Sequence, residues 1–396
     1  MKDLEGDGSA AQARRLGAAG FIATGVAFGP ARMGFGLFLP IFRHDFDLST
    51  AQAGLIASGG FLAFLAALPL TAWLAVRVGQ RVPVTAGALT AAVGFAIVAM
   101  TSHAALLAVG VALAGTSAGF CWAPFNDAAE RLVPPALQAR TLSAVATGTT
   151  LGVGAAGGLA LAVTTGLLPW RLAWGVFLLA ALVAASAALI GLPRGRRGTA
   201  HPVGHASALV HPARIRLYAT SLIFGATNAV FLSFAADRVV AADGLPGLAA
   251  GAASPVIFVC YGIFGLLGLT TAWAEARVGL SPLIALIFTA FATSLALIAL
   301  VPGSLPGVVA AAGLHGAAVM TISSVLSFWT LRLFPGRGSI GFTAALIAVA
   351  AGSVVGPALS GWLITAIGPR GAFLICAAPA FMVALFFLVR PVRARA

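Results

Sequence analysis

The chain has 396 residues, of which 60% are hydrophobic and only 8% are charged, and its formal net charge is +13 at pH 7. A soluble domain carries about 25% charged residues, so this composition excludes a water-soluble globule and predicts that lipid covers much of the surface. The basic residues are 22 Arg and one Lys, and most lie in short clusters between long apolar runs. They form no stripe interleaved with aromatic residues, which argues against nucleic-acid binding and is typical of residues that orient a chain in a membrane.

Twelve apolar runs follow one another along the chain, each close to the 20 or so residues that a membrane-spanning helix needs. The sequence therefore predicts an all-α integral membrane protein with twelve transmembrane helices. The first six predicted helices are 16–41, 51–76, 82–101, 104–125, 142–165 and 171–193, and the second six are 214–238, 248–274, 281–301, 306–331, 340–366 and 371–390.

The most polar stretch of the chain separates these two groups and runs from Pro193 to Arg216. It predicts three parts: an N-terminal six-helix bundle at 1–193, a cytoplasmic linker at 194–213 and a C-terminal six-helix bundle at 214–396. The linker holds three histidines but no cysteine, which is a weak basis for a metal site, so we predict no metal and no cofactor. The linker histidines are His201, His205 and His211.

The distribution of basic residues predicts the orientation of the chain. With the N-terminus inside, eighteen of the 23 Lys and Arg residues fall in inner segments and four in outer loops. Inner loops of membrane proteins carry the excess of Lys and Arg. We therefore predict a multi-pass protein of the cell inner membrane, with both termini in the cytoplasm and lipid around the helices.

An internal repeat links the two halves. The chain reads TAWLAVRVG over Thr71–Gly79 and TAWAEARVG over Thr271–Gly279, with six of nine positions identical. Because each half holds an even number of predicted helices, the repeat is a parallel one. Glycines also recur at matching positions, with spacing typical of closely packed helices; they are Gly148, Gly152 and Gly157 in the first half and Gly352, Gly356 and Gly361 in the second.

The loop after the second predicted helix resembles the major facilitator superfamily signature G-x-x-x-D-R-x-G-x-R. Arg77, Gly79 and Arg81 match it, whereas Ala72 replaces the leading glycine and Val76 the acidic residue. The resemblance implies two six-helix halves that bind a solute between them, and a cytoplasmic gate at these residues and at their second-half counterparts, Arg277 and Gly279. The stretches PARMGFGLFLP and CWAPFNDAAERLVP also resemble the YbfB/YjiJ-like bacterial branch of the family.

Candidate binding residues are the polar and ionisable groups at membrane depth, because such groups are costly in lipid and usually face a cavity. Arg32 is the sharpest candidate, with snorkelling to the headgroups as its alternative. For the others the alternatives are a solvated helix end or a hydrogen bond to a neighbouring helix or to their own helix. These candidates are Trp122, Asn126, Asp127, Thr150, Asn228, Tyr261 and His315. Asp237, beside Arg238, is expected to form a surface ion pair with it.

Together these features predict a secondary transporter that moves a small organic solute by alternating access. Arg32 favours an anionic solute, because a guanidinium pairs well with an oxyanion. Since the chain has no ATPase motif, concentrative transport would draw on a coupling proton or cation, or on the solute's own gradient. Two alternatives stay open: an exporter of apolar drugs or metabolites in which Arg32 pairs internally, and a membrane sensor that does not transport. No catalytic set is found, so an enzyme is not expected.

Overall fold

The computed structural model describes residues 2–194, 212–248, 251–334 and 338–390, and these residues are almost entirely helical. A 3-10 turn, Leu266–Thr270, joins α9 to α10. The helices are α1 Lys2–Phe28, α2 Pro30–Asp45, α3 Thr50–Val78, α4 Arg81–Met100, α5 Ala104–Leu132, α6 Pro135–Thr164, α7 Trp170–Gly191, α8 Pro212–Val240, α9 Ala253–Gly265, α10 Thr271–Val278, α11 Leu280–Leu300, α12 Leu305–Leu333 and α13 Gly338–Val389.

Within the described part of the chain, eleven helical segments are long and apolar enough to cross a membrane. The last of them, Gly341–Val389, has 49 residues. At 1.5 Å per residue it would be about 74 Å long, more than twice the ~30 Å of a bilayer core. Gly368 interrupts it with a φ of 78°, a conformation that glycine adopts at no steric cost. This break lies between the predicted helices 340–366 and 371–390.

Two helix boundaries follow directly from proline chemistry. α1 ends at Phe28 and α2 begins at Pro30, because Pro30 has no N–H to donate to the carbonyl four residues earlier. α6 begins at Pro135, seven residues before the predicted start at 142, because proline is favoured in the first turn of a helix. The apolar run used for prediction marks where lipid begins, whereas the helix itself starts in the preceding polar turn.

The chain divides into two compact units. Unit 1 comprises Met1–Phe35 and Gly59–His201, and unit 2 comprises Gly36–Ser58 and Pro202–Ala396. The assignment of residues 36–58 to unit 2 was not anticipated from the sequence. The predicted linker at 194–213 lies largely outside the described residues, so its division of the chain stays a prediction.

In unit 1 the glycines of α6 allow α1 to approach backbone to backbone. A Cβ on Gly152 would lie 2.5 Å from the Cα of Gly25, and one on Gly25 would lie 3.2 Å from the carbonyl oxygen of Gly148. The Thr24 hydroxyl crosses the same interface and donates to the carbonyl of Val145 at 2.6 Å. Close helix approach, predicted from the spacing of these glycines, is therefore confirmed.

In unit 2 the glycines of α13 likewise allow α8 to approach backbone to backbone. A Cβ on Gly352 would overlap the carbonyl oxygen of Leu222, and one on Gly356 would lie 2.6 Å from that of Ala226. The Ser353 hydroxyl crosses this interface and hydrogen-bonds the carbonyl of Gly225 at 3.1 Å. Each unit thus pairs one glycine-bearing helix with the helix that opens its half of the sequence.

Residues 36–58, hereafter the 36–58 hairpin, comprise the end of α2, the loop after it and the start of α3. A Cβ on Gly36 would overlap the carbonyl of Leu232 on α8, and one on Gly54 would lie 2.5 Å from that of Pro357 on α13. The Ser58 hydroxyl donates to the carbonyl of Val354 at 2.7 Å. Backbone contacts of this closeness explain why the hairpin groups with unit 2.

An ion pair reinforces this contact and corrects one expectation. Arg43 Nη1 lies 2.6 Å from Asp237 Oδ2, joining the hairpin to α8 across 194 positions of sequence. The expected surface pair of Asp237 with its neighbour Arg238 was wrong, since Arg238 is directed to the carbonyl of Ala299 at 3.4 Å. Adjacent residues of a helix point about 100° apart, which separates the two side chains.

Candidate functional site

Arg32, near the start of α2 in unit 1, is surrounded by three phenylalanine rings. Its guanidinium carbon lies 4.6 Å from the ring centroid of Phe64 and 5.6 Å from those of Phe28 and Phe61. We call Phe28, Phe61 and Phe64 the aromatic collar. Ring faces attract a cation by about 0.5–2 kcal/mol, more where water is excluded. The collar therefore holds the charge of Arg32 within the helices of the unit.

Helix geometry explains how the collar forms. Phe28 precedes Arg32 by four residues and lies on the same side of the helical segment, whereas Phe61 and Phe64 are three apart on α3 and share one face. Trp122 on α5 meets Phe28 edge to face, with 5.1 Å between ring centroids. Two of the predicted site residues, Arg32 and Trp122, are thus brought together through a ring that sequence reasoning had missed.

Two of the other candidates of unit 1, Asp127 and Thr150, have local partners. Asp127, at the end of α5, accepts hydrogen bonds from Arg131 Nε at 2.8 Å and from Gln80 Nε2. Thr150 donates its hydroxyl to the carbonyl of Thr147 on its own helix at 2.9 Å. These contacts fit the structural alternatives given above, and a role of Asn126, Asp127 or Thr150 in solute binding stays a prediction.

In unit 2 the structure brings three predicted residues together in one buried cluster. Asn228 on α8, Tyr261 on α9 and His315 on α12 are each no more than 2% exposed. The Tyr261 hydroxyl donates to Asn228 Oδ1 at 3.3 Å, and the Tyr261 and His315 rings lie 6.1 Å apart. Their contact with a solute stays a prediction, but their grouping gives the middle of unit 2 its polar centre.

Three further residues complete what we call the His315 cluster. Phe231 stacks on the imidazole with 3.9 Å between centroids and 13° between planes, and Phe291 meets it edge to face at 4.9 Å. Ser294 Oγ lies 3.1 Å from His315 Nδ1. Phe231 follows Asn228 by three positions and Ser294 follows Phe291 by three, so each pair shares a helix face. That spacing was visible in the sequence, but the facing helix was not.

The residues of the repeated signature adopt the same local arrangement in both units. The Arg77 guanidinium lies 4.3 Å from the Trp73 ring, and that of Arg277 lies 4.5 Å from the Trp273 ring. Gly79 and Gly279 follow with φ values of 84° and 83°, a left-handed turn that favours glycine. Arg81 then begins α4. A gating role for these residues stays a prediction.

Ionisable groups near the signature also form ion pairs within each unit. Arg332 Nη2 lies 2.7 Å from Glu275 Oε1 in unit 2, while Arg131 pairs with Asp127 in unit 1. Across the described ranges, no three His, Cys, Asp or Glu side chains are grouped so that they could hold a metal ion. The linker histidines His201, His205 and His211 lie outside those ranges.

Comparison with known proteins places the chain in a family. Its sequence matches the model of the Major Facilitator Superfamily over residues 20–304, more than half of the chain. No curated protein matches the sequence. Several solved structures share the fold over almost their full length.

The crystal structure of nucleoside transporter NupG has a TM-score of 0.72 at 15% identity, over 96% of this chain and 98% of that one. Peptide transporter POT has a TM-score of 0.76 at 15% identity, over 96% and 94%. A bacterial homolog of the human lysosomal transporter Spinster has 0.65 at 17%, over 96% and 95%. The chain belongs to the Major Facilitator Superfamily and is a multi-pass membrane transporter, not an enzyme.

Proposed function

We propose that this chain is a secondary active transporter that moves a small, anionic organic solute across the inner membrane by alternating access. We count twelve spans in two parallel six-helix repeats, with the long last segment as two spans separated at Gly368. The glycine contacts of α1 with α6 and of α8 with α13 support this repeat, as do the matching Trp–Arg pairs of the signature. The similar solved structures are named as transporters of nucleosides and of peptides.

The observation that carries the proposal is the position of Arg32. Its guanidinium stands inside a predicted membrane span, Ala10–Asp45, within reach of three ring faces and of the Phe28–Trp122 pair. The rings restrict the orientation of the guanidinium plane, and a carboxylate or phosphate matches its two-pronged donor geometry. A charged side chain inside a membrane span is energetically costly, so it usually contacts a solute or a partner group.

The second candidate function is export of apolar drugs or metabolites, and the same collar favours it. Cation–π contacts with Phe28, Phe61 and Phe64 can balance the charge of Arg32 from within. In that case the solute would meet aromatic surface and the guanidinium would be structural. The two functions differ in whether removal of the Arg32 side chain removes solute binding.

The test is a thermal-stability screen of the purified protein against organic acids, amino acids, sugars and drugs, since a bound compound raises the melting temperature with concentration. For a carboxylate-bearing hit, Arg32→Ala is expected to weaken binding tenfold or more, about 1.4 kcal/mol. Arg32→Lys is expected to weaken it as well, because lysine lacks the planar fork. Flux of the hit into proteoliposomes separates a transporter from a sensor, which would bind without flux.

Arg171→Ala is a matched control, because Arg171 also lies over an aromatic ring, that of Trp170 at 4.3 Å, but at the start of α7. It is expected to leave binding unchanged. A well-folded Arg32→Ala protein that binds the acid with full affinity would exclude the anion site. Apolar hits unaffected by Arg32→Ala would favour the exporter.

The proposed orientation is tested with reporter fusions. We expect a cytoplasmic reporter to be active after Gly191 and silent after Asp45, and a periplasmic reporter to give the reverse, because the inner loops carry most of the arginines. Five predicted membrane crossings, from Thr50–Val78 to Trp170–Gly191, lie between the two fusion positions. Because five is an odd number, activity of the same reporter at both positions would contradict the helix order.

A further inference from the structure

Two tryptophans face outward at the same place in the repeat, near the end of a membrane span in each unit. Trp73 lies in the last turns of the span Thr50–Val78, and Trp273 lies in the last turns of Ala253–Val278. Their exposed fractions are 50% and 61%, so neither ring is packed inside its unit. Indole rings are enriched at the boundary between the acyl chains and the headgroups of a bilayer. Both rings are therefore placed where a span reaches the headgroups.

An arginine covers each of these rings. Arg77 follows Trp73 by four residues and Arg277 follows Trp273 by four, which places each pair on one helix face. Long side chains of a helix point back toward its N-terminus, so each guanidinium lies over the ring of the preceding turn, at 4.3 and 4.5 Å from the centroid. A guanidinium on a ring face keeps its N–H donors at the edges of its plane. Each pair therefore holds a cation whose donors are directed sideways.

The donors of these two guanidinium groups are not used within the protein. Arg171 also lies over a tryptophan ring, but it donates to the carbonyls of Ala99 and Thr101 at 3.3 and 2.7 Å. By contrast, no described residue forms an ion pair or a side-chain hydrogen bond with Arg77 or Arg277, and both arginines are exposed. Their donors are available to a group outside the protein.

Exposed apolar side chains continue each ring toward the middle of its span. Leu70 precedes Trp73 by three residues and Leu269 precedes Trp273 by four, and both leucines are exposed. The surface at each pair is thus apolar along the span and cationic at its end. A phospholipid has the complementary form, because its acyl chains are apolar and its phosphate is negatively charged.

We propose that each Trp–Arg pair binds one anionic phospholipid. The planar fork of Arg77 or Arg277 donates to two oxygens of the phosphate, and the indole beneath it contacts the first carbons of the acyl chains. A headgroup with a net negative charge is preferred, because a zwitterionic headgroup brings its own cation to the phosphate. Val76, where the signature has an acidic residue, leaves Arg77 without a carboxylate neighbour in the chain. The proposed orientation makes these sites of the inner leaflet, and they go beyond the proposed transport of a solute.

Native mass spectrometry of the full-length protein in detergent counts the bound lipids and needs no solute. The probes are phosphatidylglycerol, phosphatidylcholine with the same acyl chains, and inorganic phosphate. We expect the protein to bind phosphatidylglycerol more tightly than phosphatidylcholine, and inorganic phosphate not to displace it, because free phosphate lacks acyl chains. Equal affinity for the two lipids would overturn the proposal. Displacement of the lipid by an equal concentration of phosphate would overturn it as well, since the site would then belong to a soluble anion.

Variants then locate the two sites. Arg77→Gln and Arg277→Gln are each expected to weaken one phosphatidylglycerol site about fivefold, the usual contribution of one basic residue near an anionic membrane surface. Trp73→Leu keeps an apolar side chain but removes the ring under the guanidinium, so it should weaken the same site as Arg77→Gln.

Arg171→Gln is the matched control, because the donors of Arg171 already bind helix carbonyls, and it is expected to leave lipid affinity unchanged. Unchanged affinity in the double variant of Arg77 and Arg277, or an equal loss in Arg171→Gln, would contradict the assignment. Loss of the lipid sites leaves the Arg32 solute-binding result unaffected, so the two proposals fail separately.

Discussion

Gly152→Ala is expected to lower the melting temperature of the purified protein markedly, whereas Gly154→Ala, two positions along the same helix, is expected to leave it unchanged or raise it. A Cβ on Gly152 would lie 2.5 Å from the Cα of Gly25, within the backbone of α1. A Cβ on Gly154 would have nothing within 4 Å. The two variants add the same methyl group, so their difference isolates the helix contact.

The expected changes in the free energy of unfolding of these two variants follow from the known effects of adding a methyl group. Forcing one extra carbon into a filled contact costs about 1–3 kcal/mol, because backbone atoms must shift. Alanine in place of glycine on an open helix face contributes up to about 1 kcal/mol of helix propensity. Gly352→Ala should behave like Gly152→Ala in unit 2, since the Leu222 carbonyl occupies the added position. Equal melting temperatures for Gly152→Ala and Gly154→Ala, measured by thermal unfolding in one detergent, would contradict the close approach.

Arg43→Ala is expected to destabilise the 36–58 hairpin by about 1–3 kcal/mol, because its ion pair with Asp237 is part-buried and the cost lies between that of an exposed pair and that of a fully buried one. The Asp237 side chain is only 14% exposed, so its carboxylate would lose its cation with little water to replace it, while Arg43 is 32% exposed. The double variant Arg43→Ala with Asp237→Asn is expected to recover part of the loss, because the amide is neutral. A double-mutant cycle on thermal unfolding gives the coupling energy.

Arg131→Ala is the control for this cycle. Arg131 and Asp127 also form an ion pair, but their side chains are 39% and 30% exposed and lie four residues apart on one helix. Such exposed pairs contribute roughly 0.3–0.5 kcal/mol. Additive single losses at Arg43 and Asp237, with no coupling, would contradict a stabilising role of the ion pair and leave the hairpin held by its glycine contacts and the Ser58 hydrogen bond.

The helical segments and their membrane character could be predicted because both depend on local composition. The break at Gly368 and the start of α2 at Pro30 likewise follow from single residues. What could not be predicted was the neighbour of each helix face. An apolar run is equally compatible with lipid and with another helix, so nothing local indicated that the 36–58 hairpin groups with the second unit, or that Asp237 meets Arg43.

For the candidate sites, too, single residues could be predicted from the sequence but their neighbours on other helices could not. Asn228, Tyr261 and His315 could be singled out because a polar group in an apolar run is costly. Their grouping, and the Ser294 contact that orients the imidazole, depend on the rotation of four helices. Phe61 and Phe64 were missed because 26 phenylalanines occur in the chain and an aromatic residue is ordinary in a membrane helix. Only the cation beside them gives them a distinct role.

The backbone contact between Gly25 and Gly152 has an evolutionary consequence. In an ordinary core, a larger residue on one helix can be accommodated by a smaller one on its neighbour, so paired positions drift together. Here the atoms in the way belong to the main chain, which every residue carries, so no second substitution at position 25 can restore the fit. Such positions should stay fixed across descendants without covarying. A search for contacts by correlated substitutions would then fail to detect this contact between α1 and α6.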